Sequence, residues 1–221
     1  MITIKWFQYF QILSLVCAIL WYRRLKTFSL GWMLPLLAVV CITETVAANF
    51  LKLGYKANYF IYNIYLLVSA PLYFILFYRM IMPAPRWRLL YLLMAAGTMI
   101  FMCINFFSEG RDVFNVSSYV VVLLLHILMC CILLAKLAMD ETRQVIFTRE
   151  PHFWIAAGVL IFSLGTVVIL GLQRYIVEHS IKIFGLHLYR VIMPALNVIL
   201  YSSFTFSFYL CTRQDRRYSL P

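Results

Sequence analysis

Residues 187–210 read HLYRVIMPALNVILYSSFTFSFYL. Within this run His187, Arg190, Pro194, Asn197, Tyr201 and Thr205 recur at intervals of 3, 4, 3, 4 and 4. On a helix they share an arc of about 80°. The rest of the run is almost entirely Leu, Ile, Val, Met and Phe. In water such an arc would face solvent. In lipid it must face the inside of a bundle, because an Arg or Asn turned toward hydrocarbon is too costly. The choice between the two follows from composition: the chain is 64% hydrophobic and 12% charged, with a mean hydropathy of +0.89. Soluble domains are nearer half apolar and a quarter charged. The sequence therefore predicts an all-α integral membrane protein.

Crossing ~30 Å of hydrocarbon takes ~20 apolar residues. Seven runs meet that length, near 4–22, 29–49, 59–78, 89–107, 116–137, 153–177 and 187–210. The expected architecture is a single seven-transmembrane helix bundle with no soluble domain. The first run has three basic residues just after it and no small-residue cleavage site, so it reads as an uncleaved span rather than a signal peptide.

The net charge of +11 is spread in short clusters between the apolar runs, where it orients a membrane protein rather than binding nucleic acid. Arg23, Arg24, Lys26, Arg79, Arg86, Arg88, Lys136, Arg143, Arg149, Arg213, Arg216 and Arg217 fall on one side. Lys5, Lys52, Lys56, Arg111, Arg174 and Lys182 fall on the other. The richer side is expected in the cytoplasm, which places the N-terminus outside and the C-terminus inside. The plasma (inner) membrane is the expected location.

The connections are too short for a catalytic or DNA-binding module. The chain has no Gly-rich phosphate loop, HExxH, GxSxG or CxxC pair. Its four histidines lack metal-ligand spacing. Its six cysteines read as small apolar fillers. No catalytic residue, metal or cofactor is expected. A lipid-processing enzyme with Glu44 or His126 as acid or base lacks a nucleophile–base pair to support it.

Polar residues within the spans concentrate in the expected outer half. Glu44 is the only acidic residue deep in an apolar run. A buried carboxylate costs several kcal/mol unless paired or protonated. Arg190 falls at comparable depth, so the two are expected to pair or to share a ligand. Asn49, Tyr59, Asn63, Tyr119, His126, His187 and Asn197 join them as candidate ligand-binding residues. Interhelical glue, worth ~0.6 kcal/mol per polar contact, is the competing explanation for each of them. Gly158, Gly165 and Gly171 are expected close-packing points on the sixth span.

An outward polar cavity predicts a receptor-like sensor. Its ligand would be a small or lipid-like molecule from the outer side, and its readout a membrane or cytoplasmic signalling partner, with membrane lipid around the bundle. Two alternatives remain, a small-solute transporter and a structural subunit of a membrane complex. Span count, length and orientation are similar to those of the SWEET sugar transporters, built as three helices, a linker helix and three helices. That layout makes the third and seventh spans repeat partners, and each carries an Asn, Asn63 and Asn197. The Pro-Gln signature and the first-span prolines of that family are missing, and no repeat relates 1–78 to 116–210. The resemblance is to the layout, not to the family.

Overall fold

The computed structural model describes residues 5–50, 57–82, 84–108, 113–139, 147–179, 182–183 and 186–218. In chain order the helices are α1 Gln8–Leu20, α2 Tyr22–Thr27, α3 Met33–Phe50, α4 Tyr59–Ile81, α5 Pro85–Ser108, α6 Val116–Met139, α7 Pro151–Glu178 and α8 Leu188–Tyr218. A short 3-10 turn, Phe147–Arg149, precedes α7. Strand β1, Lys182–Ile183, pairs antiparallel with β2, Leu186–His187.

Among the described residues, six helical segments are long and apolar enough to cross a membrane: Met33–Phe50, Tyr59–Ile81, Pro85–Ser108, Val116–Met139, Pro151–Leu172 and Val191–Arg213. The chain is a multi-pass helical membrane protein. These segments follow the second to seventh apolar runs of the sequence. The first run differs: it is helical only over the 13 residues of α1. At 1.5 Å per residue α1 rises about 20 Å, short of the hydrocarbon thickness by itself. The chain bends at Trp21 and continues as α2. His187 also departs from expectation. It pairs with Lys182 in the β1–β2 ladder instead of opening the last helix, so the polar stripe on α8 starts at Arg190.

Local chemistry sets several helix ends. Pro85 and Pro151 open α5 and α7, where a missing N–H costs no helical bond. Asn115 caps α6, its Oδ1 accepting the Ser118 N–H at 3.0 Å. α2 closes in a Schellman motif: Leu30 N–H donates to Leu25 O at 2.8 Å and Ser29 N–H to Lys26 O at 3.2 Å. Ser29 takes the left-handed conformation this requires, with φ 61°. Leu25 and Leu30 are fully buried and supply its apolar contact.

The chain divides into two units, Met1–Val122 and Leu123–Pro221. In the first, α1 packs on α3, α3 on α4 and α4 on α5. α1 is inverted relative to a soluble helix. Its buried residues are Gln8, Gln11, Ser14, Cys17 and Ala18, whereas Tyr9, Ile12, Leu13, Val16, Ile19 and Leu20 are exposed. Polar side chains turned inward and large apolar ones outward is the pattern that lipid selects. α4 and α5 run antiparallel. Phe60 meets Phe106 near one end, and Phe74 and Tyr78 meet Tyr91 near the other. The Tyr91 hydroxyl donates to Phe74 O at 2.6 Å.

In the second unit α7 and α8 form an antiparallel pair. The Ser207 hydroxyl donates to Pro151 O at 2.8 Å, and Trp154 stacks edge-on against Phe206 with centroids 4.7 Å apart. A Cβ added at Gly158 would lie 2.8 Å from Ser203 Cβ, and one at Gly165 would lie 2.8 Å from the Leu196 methyls. These two glycines let the helices approach, as the sequence predicts. Gly171 does not: among the described residues, a Cβ there meets nothing within 4 Å. Small size marks a potential contact, but only a neighbouring helix makes it one.

Candidate functional site

α1, α3 and α4 converge on Glu44. Its carboxylate is half-buried in the middle of α3. From α4, the Tyr62 hydroxyl donates to Oε2 at 3.5 Å, a long bond. From the start of the chain, the Lys5 ammonium lies near enough to attract the carboxylate, and the Gln8 side-chain amide turns toward it. Gln8 also reaches back along the chain, its Oε1 accepting the Lys5 N–H at 2.7 Å. This bond fixes the amide oxygen in place.

Gln8 is 4% exposed. Its Nε2 faces the Glu44 carboxylate but has no partner at hydrogen-bond distance among the described residues. The Ser14 hydroxyl, fully buried two turns along α1, has none either. A buried donor without an acceptor costs about 1–3 kcal/mol. Such orphans collect where a ligand or water completes the site.

Lys5, Gln8, Ser14 and Tyr62 were not among the residues expected from sequence. The signal was present. Gln8, Gln11, Ser14 and Cys17 recur every third residue along one side of the first apolar run. Lys5 stands one turn before Gln8 on that side. Among the described residues, Lys5 therefore supplies a counter-charge to Glu44. The expected Glu44–Arg190 pair involves a side chain outside the described residues, and so does His187.

Asn63 belongs to a different cluster. Its Nδ2 donates to Val113 O at 2.8 Å and its Oδ1 accepts the Asn115 N–H at 3.1 Å. Asn115 caps α6, and Asn105 Nδ2 on α5 donates to the Ser118 hydroxyl at 3.2 Å. Asn63 thereby pins the segment leading into α6. The adjoining cavity, lined by Asn63, Leu66, Met102, Phe106, Asn115 and Ser118, measures about 10 Å³, room for roughly one water. Tyr62 and Asn63 are neighbours in sequence, but ~100° of helical rotation sends one to Glu44 and the other to residues 113–115.

The remaining candidates lie on α3, α4, α6 and α8. Asn49 and Asn197 are half-buried and donate within their own helices, to Thr45 O at 2.7 Å and Met193 O at 2.9 Å. Tyr59 is exposed at the start of α4. Tyr119 is half-buried with its ring edge-on to Phe114 at 5.7 Å. His126 is buried on α6 within the second unit. The structure thus gathers Glu44 with Lys5, Gln8 and Tyr62, and gathers Asn63 with Asn115, Ser118 and Asn105. No protein family, curated protein or solved structure matches the chain.

Proposed function

We propose that this chain is a seven-span, receptor-like membrane sensor, N-terminus outside, whose ligand site is centred on Glu44. The observation that carries this reading is the incomplete bonding around a lipid-embedded carboxylate. Gln8 Nε2 faces the carboxylate with no partner at hydrogen-bond distance among the described residues, and the Tyr62 hydroxyl and Lys5 stand beside them. A purely structural carboxylate would be better satisfied, since a leucine would pack the same space at lower cost. The ligand is a small or lipid-like molecule offering an acceptor to Gln8 and a donor to Glu44. Its binding would reposition α1 against α3 and α4. A membrane or cytoplasmic partner would read that movement.

The test is structure determination of the full chain in native-lipid nanodiscs. Non-protein density against Glu44 and Gln8 in the wild type, lost in Glu44→Gln at equal expression, is the expected result. Direct Gln8–Glu44 bonding with no density in either protein would overturn the proposal.

A transporter of three-one-three layout is the second reading. α5, which follows the fourth apolar run of the sequence, is the least buried of the six candidate spans, as a linker helix would be. Flux of a labelled small solute in proteoliposomes, with superposable halves, would favour it. Saturable binding without flux favours the sensor.

A further inference from the structure

At the far end of α1 from Glu44, the bend at Trp21 opens a cleft of about 380 Å³ lined by Ile19, Leu20, Trp21, Tyr22, Arg23 and Arg24. Three features of this lining belong together. Leu20 is 71% exposed and Ile19 57% exposed, offering apolar surface continuous with the outward face of α1. Trp21 and Tyr22 follow at once, the side chains that settle at the headgroup level of a bilayer. Arg23 and Arg24 come next, with Lys26 exposed just beyond. Along the chain the surface passes from hydrocarbon-like through amphipathic to cationic within about one and a half turns, the same order as acyl chain, glycerol and phosphate in a phospholipid.

The corner carrying the arginines is fixed. Trp21 O accepts N–H bonds from both Arg24, at 2.9 Å, and Leu25, at 3.0 Å. Leu25, Leu30 and Met33 are fully buried, and the Schellman motif closes α2 behind them. Arg23 and Arg24 are thus presented by a braced turn rather than a loose loop.

We infer that this corner is a binding site for the headgroup of an anionic phospholipid. The arginine forks engage its phosphate and the exposed Ile19–Leu20 surface lies along its acyl chain. The apolar surface beside the charges selects a lipid over a free phosphate ion, which would use the arginines alone. The inference requires α1 to lie in the bilayer, for which its outward apolar face is the evidence. It is independent of what occupies the Glu44 site.

The test uses the full chain in nanodiscs of phosphatidylcholine with and without phosphatidylglycerol, followed by native mass spectrometry of retained lipid. Wild type should retain phosphatidylglycerol in preference to phosphatidylcholine. Arg23→Gln should weaken that preference about fivefold, and Arg23→Gln/Arg24→Gln by more than 10-fold, roughly a factor of five per arginine. Arg86→Gln/Arg88→Gln, a change of equal charge at another basic cluster, should leave it intact. The single variant at exposed Arg23 keeps the test decisive if the double variant does not fold. The proposal is overturned if wild type shows no preference, or if Arg23→Gln retains it in full. It is equally overturned if the Arg86/Arg88 variant loses as much, or if inorganic phosphate displaces the lipid.

Discussion

Asn63 holds Val113 and Asn115 in a two-point clasp. Its amide donates to Val113 O at 2.8 Å, while its carbonyl accepts the Asn115 N–H at 3.1 Å. Both ends of one α4 side chain are therefore committed to backbone 50 and 52 residues further along the chain. The clasp places Asn115 where its own carbonyl caps α6. Asn63 is 3% exposed, so bulk water does not replace these bonds when they are lost.

Asn63→Leu should consequently destabilise the protein by about 2–4 kcal/mol, from two lost bonds and two orphaned backbone groups. Asn63→Asp retains the acceptor for Asn115 and removes only the donor to Val113, so it should differ measurably from the leucine variant. Thermal unfolding in detergent reads both. Equal melting temperatures for wild type and Asn63→Leu would show that the clasp carries no stability.

Glu44 has one neighbouring cation whose side chain is described, Lys5, and one expected from sequence, Arg190. Double-mutant cycles separate them. Glu44→Gln combined with Lys5→Gln should show a coupling of about 0.5–3 kcal/mol, whereas distant, independent pairs add to within ~0.5 kcal/mol. If Glu44→Gln couples to Arg190→Gln instead, Lys5 is a bystander and the charge pair expected from sequence is the correct one.

The three glycines of α7 should respond to alanine in a graded way. Gly158→Ala drives a Cβ to 2.8 Å from Ser203 Cβ and 3.5 Å from Leu200 O, and should cost about 1–3 kcal/mol. Gly165→Ala meets only Leu196 side-chain carbons, which can rotate away, and should cost less. Gly171→Ala meets no neighbour among the described residues and should stabilise the helix by up to about 1 kcal/mol. Melting temperatures of the three variants should rank in that order.

Ser29 occupies the left-handed position of the Schellman motif with φ 61°. A left-handed conformation costs a residue with a Cβ about 1–2 kcal/mol, a cost glycine does not bear. Ser29→Gly should therefore raise stability by about 0.5–1 kcal/mol, after allowing for the greater freedom of glycine in the unfolded chain. A fall in melting temperature would mean that the serine hydroxyl makes a compensating bond.

The membrane class and the courses of α3 to α8 were legible in the chain. Hydrocarbon demands a minimum run of apolar residues, and that demand is written in composition and length alone. The same constraint made the inward placement of polar groups readable as helical faces, including the stripe at Gln8, Gln11 and Ser14. A wheel gives the direction of a side chain on its own helix and says nothing about which helix stands opposite.

For that reason the partners were decided only by tertiary structure. Asn63 turned from an expected ligand group into a backbone clasp because residues 113–115 lie across from it. Glu44 met Lys5, Gln8 and Tyr62 because α1 packs on α3 and α3 on α4. Gly171 is as small as Gly158, yet only Gly158 has a helix against it. Apolar length fixes what must be buried in a membrane. Contacts between segments distant in sequence fix what each buried polar group is for, because a hydrogen bond needs a partner within about 3 Å and one-dimensional spacing carries no such distance.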